Sequence, residues 1–300
     1  MRFEKWQALG NDYLIVEAHE LPFALTPARV RRLCEGHFGV YADGVLELSR
    51  PKDQANVADL RIFNPDGTEA ELSGNGAREA IIYLRRHWTD LNEFSIHTAA
   101  GPIRPQITGP HTCRVDMGRA SLTSKDFPEG PPDGHGELPV EDPVLATLSF
   151  QHVSIGNPQC AIHVTSLAAL DALDLPVIGP QIEGHRRFPN RTNVSWYSEI
   201  ETPDPTAQAG GRTRIRARIF ARGGGETLSA GTGATGAAIA HLLDADGKIA
   251  APERVTVALD GGELEVEVGE GLRVNLTGWA RPVFEGRLSD DFVKELNETE

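Results

Sequence analysis

Two stretches decide the fold, and they are copies of one pattern. Residues 61–77 read RIFNPDGTEAELSGNGA, and residues 218–234 read RIFARGGGETLSAGTGA. They align without a gap at a constant offset of 157, with 8 identities in 17 positions. The identities are Arg61/Arg218, Ile62/Ile219, Phe63/Phe220, Gly67/Gly224, Glu69/Glu226, Gly74/Gly231, Gly76/Gly233 and Ala77/Ala234. The order of features repeats as well: strand, turn, glycine loop, helix. A weaker echo pairs Gly10-Asn11 with Gly156-Asn157 at an offset of 146. Repeats of about 20–50 residues would make a solenoid. One duplication at half the chain length instead implies two similar domains.

Around the repeat, short runs alternate between glycine, proline and aspartate punctuation. Leu264, Val266 and Val268 interleave with Glu263, Glu265 and Glu267, and Val255, Val257 and Leu259 alternate in the same way. Period two with one polar face reads as antiparallel sheet covered on one side. Helices are few. Thr26-Pro27 caps and starts one that runs to Cys34 and stops at Gly36. A second follows Gly76, with Ala77, Ile81 and Leu84 on one face, and a third follows Gly233 through Ala237, Ala238 and Leu242. The fold class expected is α+β, with each helix lying against a sheet. Residues 124–143 and 202–212 are rich in proline and glycine and lack periodicity, so both read as surface loops. The first lies near the middle of the chain and is a candidate boundary.

Composition narrows the function. The chain has 300 residues, 40% hydrophobic and 24% charged, as a globular protein has. A net charge of −14 argues against a nucleic-acid partner, which needs a clustered positive field. Three widely spaced cysteines, Cys34, Cys113 and Cys160, exclude a disulfide framework and a paired-cysteine zinc site. The ten histidines show no ligand spacing, so no metal is expected. The first residues lack the apolar core of a signal peptide, and no run approaches the ~18 apolar residues of a membrane span. A cytoplasmic protein is expected.

Each repeat ends in a loop of small residues that opens a helix: Ser73-Gly74-Asn75-Gly76 and Ala230-Gly231-Thr232-Gly233. Glycine lets backbone approach a ligand, and a helix N-terminus presents unpaired N–H groups and a positive dipole end. One such loop is most simply a turn into a helix; two at duplicated positions point to binding of a small anion. Neither loop has the Gly-Lys-Ser/Thr of a P-loop or the dinucleotide fingerprint, so a carboxylate is the better ligand. A duplicated arrangement suits inversion of a carbon centre, which needs an acid/base group on each face. The residues just before the loops, Ser73 and Ala230, occupy the two places for them.

The ordered motifs resemble the diaminopimelate epimerase family. They are Ala8-Leu9-Gly10-Asn11-Asp12-Tyr13, His37-Phe38-Gly39-Val40-Tyr41-Ala42-Asp43-Gly44, Phe63-Asn64-Pro65-Asp66-Gly67, Ser73-Gly74-Asn75-Gly76-Ala77-Arg78 and Val115-Asp116-Met117-Gly118. The second half adds Gly156-Asn157-Pro158, Thr192-Asn193-Val194, Arg222-Gly223-Gly224-Gly225-Glu226-Thr227 and Gly231-Thr232-Gly233-Ala234. The resemblance implies two pseudo-symmetric domains, each a mostly antiparallel sheet wrapped around a central helix, with the active site between them. It implies domains at 1–118 plus about 276–300, and at 119–275. It implies a cofactor-independent enzyme that converts LL- to meso-diaminopimelate, a homodimer, and a small amino dicarboxylate as substrate. The reacting carboxylate would sit at Gly74, Asn75, Gly231 and Thr232. Asn64, Asn157, Asn193 and Arg222 would hold the distal end, and Asn11 matches a further site residue. Arginine suits a distal carboxylate through its planar fork, while each asparagine also has a plain role in turns.

Four positions depart from the family pattern. Ser73 and Ala230 stand where the family has its acid/base cysteines, Ala221 where it has a glutamate, and Gln159 where it has a histidine. A thiol can be tuned into a base near neutral pH; a hydroxyl needs activation, and a methyl group has no proton to transfer. Glu69, Glu71, Glu79 and Glu226 lie near the loops in sequence and read as solvated carboxylates, with Glu226 the best substitute base. The cysteines match no acid/base position and read as core. Three functions stay open: an epimerase, a one-base isomerase or dehydratase of the same fold, and a dicarboxylate binder without turnover.

Overall fold

A computed structural model describes residues 1–139, 147–200, 212–247, 249 and 252–299. The chain splits into two compact units: Met1–Val115 with Gly278–Glu300, and Asp116–Thr277. The proline-rich stretch 124–143 therefore lies inside the second unit and is not a boundary. The stretch 202–212 lies outside the described residues, except that Arg212 opens a strand.

In chain order the first strands are β1 (Arg2–Ala8), β2 (Asn11–Glu17), β3 (Val45–Ser49), β4 (Ala58–Phe63), β5 (Glu69–Ala70), β6 (Ile96–Thr98), β7 (Gly101–Ile103), β8 (Pro105–Gly109) and β9 (Thr112–Arg119). They are followed by β10 (His135–Pro139), β11 (Thr147–Ser154), β12 (Pro158–His163), β13 (Asn193–Glu199), β14 (Arg212–Ala221), β15 (Gly225–Thr227), β16 (Glu253–Leu259), β17 (Gly262–Val268), β18 (Arg273–Trp279) and β19 (Arg281–Arg287). The α-helices are α1 (Pro27–Cys34), α2 (Gly74–His87), α3 (Leu167–Asp171), α4 (Leu175–Glu183), α5 (Gly231–Asp246) and α6 (Asp290–Glu298).

The first unit holds the sheet order β19-β1-β2-β3-β4-β6-β7, with β5 on β4. The second holds β10-β11-β12-β13-β14-β16-β17-β18, with β15 on β14. The duplication extends to strand direction. β2/β3 and β12/β13 are parallel, β3/β4 and β13/β14 antiparallel, β4/β6 and β14/β16 parallel. Even the register repeats: Phe63 faces Glu69, and Phe220 faces Glu226. Most pairings in both sheets are antiparallel, as expected, and the fold is α+β.

Each sheet wraps a central helix. α2 packs on β1, β2 and β3, and α5 on β11 through β14, β16 and β17. Ala234, Ala237, Ala238, Ile239 and Ala240 are all buried. Small side chains let strands approach α5 from several sides, which explains an apolar surface broader than a single stripe. Thr26 caps α1 by accepting from the Arg29 N–H, with Pro27 in the first turn.

Three helices were not read from the sequence. α6 carried its own signal, a Ser289 cap before Asp290 and Asp291, with the Ser289 hydroxyl accepting from the Phe292 N–H. The segment 124–143 is also more ordered than its composition suggests. Phe127 and Leu138 are buried, and β10 pairs with β11. Its alternation is broken because the Phe150 ring fills the space at Gly136, where a Cβ would lie 2.4 Å from that ring. Residues 140–143 of this stretch lie outside the described residues.

Candidate functional site

In the first unit, Ser73 is the N-cap of α2. Its Oγ accepts from the Gly76 N–H at 3.1 Å and from the Tyr13 O–H at 3.2 Å. Tyr13 is buried, and desolvation raises its phenol above the ordinary value, so it stays a donor at neutral pH. The Tyr13 ring is fixed by two glycines. A Cβ at Gly44 would lie 2.6 Å from it, and one at Gly76 would lie 3.4 Å away. The Ser73 oxygen thus accepts two hydrogen bonds at the positive end of the helix dipole. Replacing Ser73 by Ala removes the cap and leaves a buried phenol without its partner. Thermal or urea melts of Ser73→Ala are expected to show a loss of about 2 kcal/mol.

Asn75 and Asn11 are brought together. The Asn75 Nδ2 donates to Asn11 Oδ1 at 3.2 Å, and the Asn11 Nδ2 donates to Asp43 Oδ2 at 2.7 Å. The Arg78 Nη2 donates to Asn75 Oδ1. Asn64 is occupied in its own turn, with its amide donating to Thr68 Oγ1 at 2.9 Å and its carbonyl accepting from the Gly67 N–H.

In the second unit, Ala230 is the N-cap of α5 and makes no side-chain cap bond. The Gln159 Nε2 donates to Asn157 Oδ1 at 2.6 Å, and the Asn157 Nδ2 reaches Thr232 Oγ1 at 3.4 Å. This repeats the first unit, because Asn157 corresponds to Asn11 and Thr232 to Asn75. Gly10 and Gly156, which precede those asparagines, both take positive φ, 82° and 76°. Gln159 corresponds to Tyr13, and its Nε2 is spent on Asn157. Its Oε1 is buried and has no hydrogen-bond partner. Asn193 holds the other loop, accepting from the Arg222 N–H at 2.9 Å and donating to the Pro158 carbonyl at 3.0 Å. Arg222 is exposed, and its Nη1 donates to the Asn190 carbonyl at 3.3 Å.

Three of the four carboxylates, Glu69, Glu71 and Glu226, are exposed as read, and Glu79 is not. Glu226 pairs with Arg218 at 2.6 Å, and Glu69 with Arg61 at 2.9 Å, at the same offset of 157 in sequence. These ion pairs are part of the duplicated strand and turn, so Glu226 is not an idle base. Glu71 is exposed. Glu79 is wholly buried, and desolvation holds its carboxyl well above the ordinary range, against the pull of Arg78. Cys34, Cys113 and Cys160 are buried as expected, and burial pushes the Cys34 and Cys113 thiols up to about 12.

Sequence reasoning missed Tyr13, Asp43 and Glu183 as site-forming residues. Glu183 is buried, accepts from the Gly223 N–H at 2.6 Å and pairs with Arg191, which anchors the loop carrying Arg222. Tyr13 and Asp43 lay inside motifs already singled out; Glu183 had no signal of its own. Among the described residues, no group of three His, Cys, Asp or Glu side chains could hold a metal ion, and no helix is long and apolar enough to cross a membrane.

Comparison with known proteins gives the same picture. The family model for diaminopimelate epimerase matches residues 3–123 and 151–280. A diaminopimelate epimerase of a Cyanothece species is 36% identical over 297 residues, covering 96% of this chain and 99% of the relative. One from Pelotomaculum thermopropionicum is 37% identical over 294 residues, covering 95% and 98%. Among solved structures, a phenazine biosynthesis protein of the PhzF family from Bacillus anthracis has a TM-score of 0.69 at 18% identity, covering 96% of this chain and 99% of that one. A probable proline racemase from Agrobacterium radiobacter has a TM-score of 0.64 at 15% identity, covering 99% and 95%. Those structures share the fold. Over nearly its whole length, and by its sequence, the chain belongs to the diaminopimelate epimerase family.

Proposed function

We propose that the protein is a cofactor-independent amino-acid isomerase of the epimerase type, acting on a diaminopimelate-like amino dicarboxylate. The observation that carries this reading is the duplicated helix N-terminus. Each copy has a glycine loop and an adjacent asparagine turned toward it, at Asn11–Asn75 and Asn157–Thr232. Backbone N–H groups at Gly74, Asn75, Gly231 and Thr232 suit a carboxylate and the enediolate formed from it. Asn64, Asn157, Asn193 and Arg222 are assigned to the distal end. Residence in the cytoplasm and assembly as a homodimer belong to the same reading, and sedimentation of the pure protein checks the second.

The chemistry starts at Ser73. Once its hydroxyl proton has passed to water, the Ser73 oxygen takes the α-proton and becomes a hydroxyl again, and the electron pair of the C–H bond moves into the carboxylate as an enediolate. Return of the proton to the same face restores the substrate; delivery to the other face inverts the centre. A second reading has one specific observation in its favour: Ala230 has no proton to deliver and no side-chain hydrogen bond. On that reading the protein exchanges the α-proton on one face and does not invert. Incubation with LL-diaminopimelate, followed by separation of stereoisomers, distinguishes the two. Protein-dependent meso product supports inversion. Its absence, with saturable binding of the LL form and α-deuterium uptake from D₂O, supports one-face chemistry, and binding without uptake supports a dicarboxylate binder without turnover. Absence of both product and binding overturns the substrate assignment.

A further inference from the structure

Four side chains at the start of α2 form a chain of hydrogen bonds whose direction is fixed at both ends. Arg78 is wholly buried, and a guanidinium can only donate. Its Nη2 therefore meets the oxygen of the Asn75 amide, which turns the Asn75 nitrogen toward Asn11. The Asn11 oxygen accepts, and the Asn11 nitrogen then faces Asp43. An ionised carboxylate can only accept. Asp43 is further tied by the Asp12 N–H, and Asp12 by Lys5 at 3.0 Å.

The two asparagines between these ends could each rotate by half a turn if left alone, since amide oxygen and nitrogen have nearly the same shape. With a donor-only group at one end and an acceptor-only group at the other, any flip faces donor to donor or acceptor to acceptor. Each such mismatch leaves a partly buried polar group unsatisfied. The second unit lacks this device. Its chain runs from Gln159 through Asn157 to Thr232, and its terminal groups can each donate or accept. Thr235, at the position of Arg78, turns its hydroxyl back to the Gly231 carbonyl.

We infer that Arg78 and Asp43 are positioning residues: together they lock the amides of Asn75 and Asn11 in one orientation and so prepare the first unit's half of the site for its anionic ligand. The ligand part of this inference rests on the amino dicarboxylate reading above. Arg78 and Asp43 share no hydrogen bond with each other, so a purely structural role for each makes their effects independent. A relay makes them interdependent, because either end alone still sets the direction.

The test is a double-mutant cycle of Arg78→Gln and Asp43→Asn, with Arg78→Lys as the donor-only control. Two quantities are read: the side-chain amide signals of Asn11 and Asn75 by NMR in ligand-free protein, and the Kd for LL-diaminopimelate. Asp43→Asn and Arg78→Lys alone are expected to keep one set of amide signals and to weaken binding by no more than about 3-fold, whereas the double variant shows a second set and weakens binding by about 30-fold or more. Fold-changes that simply multiply, with one set of amide signals in the double variant, overturn the relay. If Arg78→Gln does not fold, Asn75→Asp breaks the chain at its middle by trapping the Asn11 amide between two acceptors. An unchanged Asn11 signal in that variant likewise overturns the relay. Wild-type protein that does not bind LL-diaminopimelate overturns the substrate reading, and the amide signals still decide the relay.

Discussion

Placing thiols at both loops, as Ser73→Cys with Ala230→Cys, is expected to raise conversion of LL- to meso-diaminopimelate by roughly 10²–10⁴-fold over the wild-type chain. The expected size follows from what the second loop lacks. Ala230 stands at the start of α5 with the backbone of an N-cap and no group to donate a proton. A cysteine there would sit at a helix N-terminus, where the dipole and the free N–H groups favour thiolate. At the first loop, Tyr13 and the Gly76 N–H already converge on the Ser73 oxygen, and sulfur in its place inherits both donors. Ala230→Cys alone is expected to account for most of the gain, because it adds the missing face. Chiral chromatography of the products over time is the measurement. A folded double variant with no more turnover than the wild type would count against these loops as the acid/base positions.

Glu79→Gln is expected to change the pH dependence of stability more than any other single substitution in α2. The Glu79 carboxyl is buried, and burial raises it well above its ordinary range. A carboxyl raised in the folded state binds its proton more tightly there than in the unfolded chain. The resulting stability is complete below the unfolded value of about 4.3 and is lost as pH rises toward the folded value. Across that window, wild-type protein loses about 1.4 kcal/mol per pH unit from this group alone. A glutamine of the same shape has no proton to lose, so its advantage over wild type should grow as pH rises above the unfolded value of about 4.3. Urea denaturation at each pH reads the difference directly. A difference that stays flat, or reverses, means that Glu79 is ionised in the folded protein and paired with Arg78.

Much of this fold was legible because a duplicated sequence is compared with itself. The aligned Arg61/Arg218 and Glu69/Glu226 look like isolated identities in sequence, yet together they are two copies of one ion pair, Arg61–Glu69 and Arg218–Glu226, each across one strand turn. Glu226 lies close to a glycine loop in sequence, but it is paired with Arg218 on the adjoining strand β14, eight residues away in sequence. Burial was the less legible property. Glu79 reads as a surface residue in a helix of mixed polarity, but α2 is enclosed by its sheet for more than two turns and carries Arg78 and Glu79 inward with the apolar residues. The proline-rich stretch hid β10 for a related reason: Gly136 is required by a ring from the neighbouring strand, and no pattern within the stretch itself reports that. Tyr13 was visible as part of a motif, but its role depends on a contact 60 residues away with Ser73.

The most direct test of Ser73 as the proton-transferring group is the deuterium content of LL-diaminopimelate recovered from D₂O after incubation with the wild-type protein and with Ser73→Ala. The expected result is deuterium at an α-carbon well above the buffer control, saturable in substrate, and lost in folded Ser73→Ala. Incorporation that is absent in the wild type, or that survives unchanged in Ser73→Ala, would contradict it.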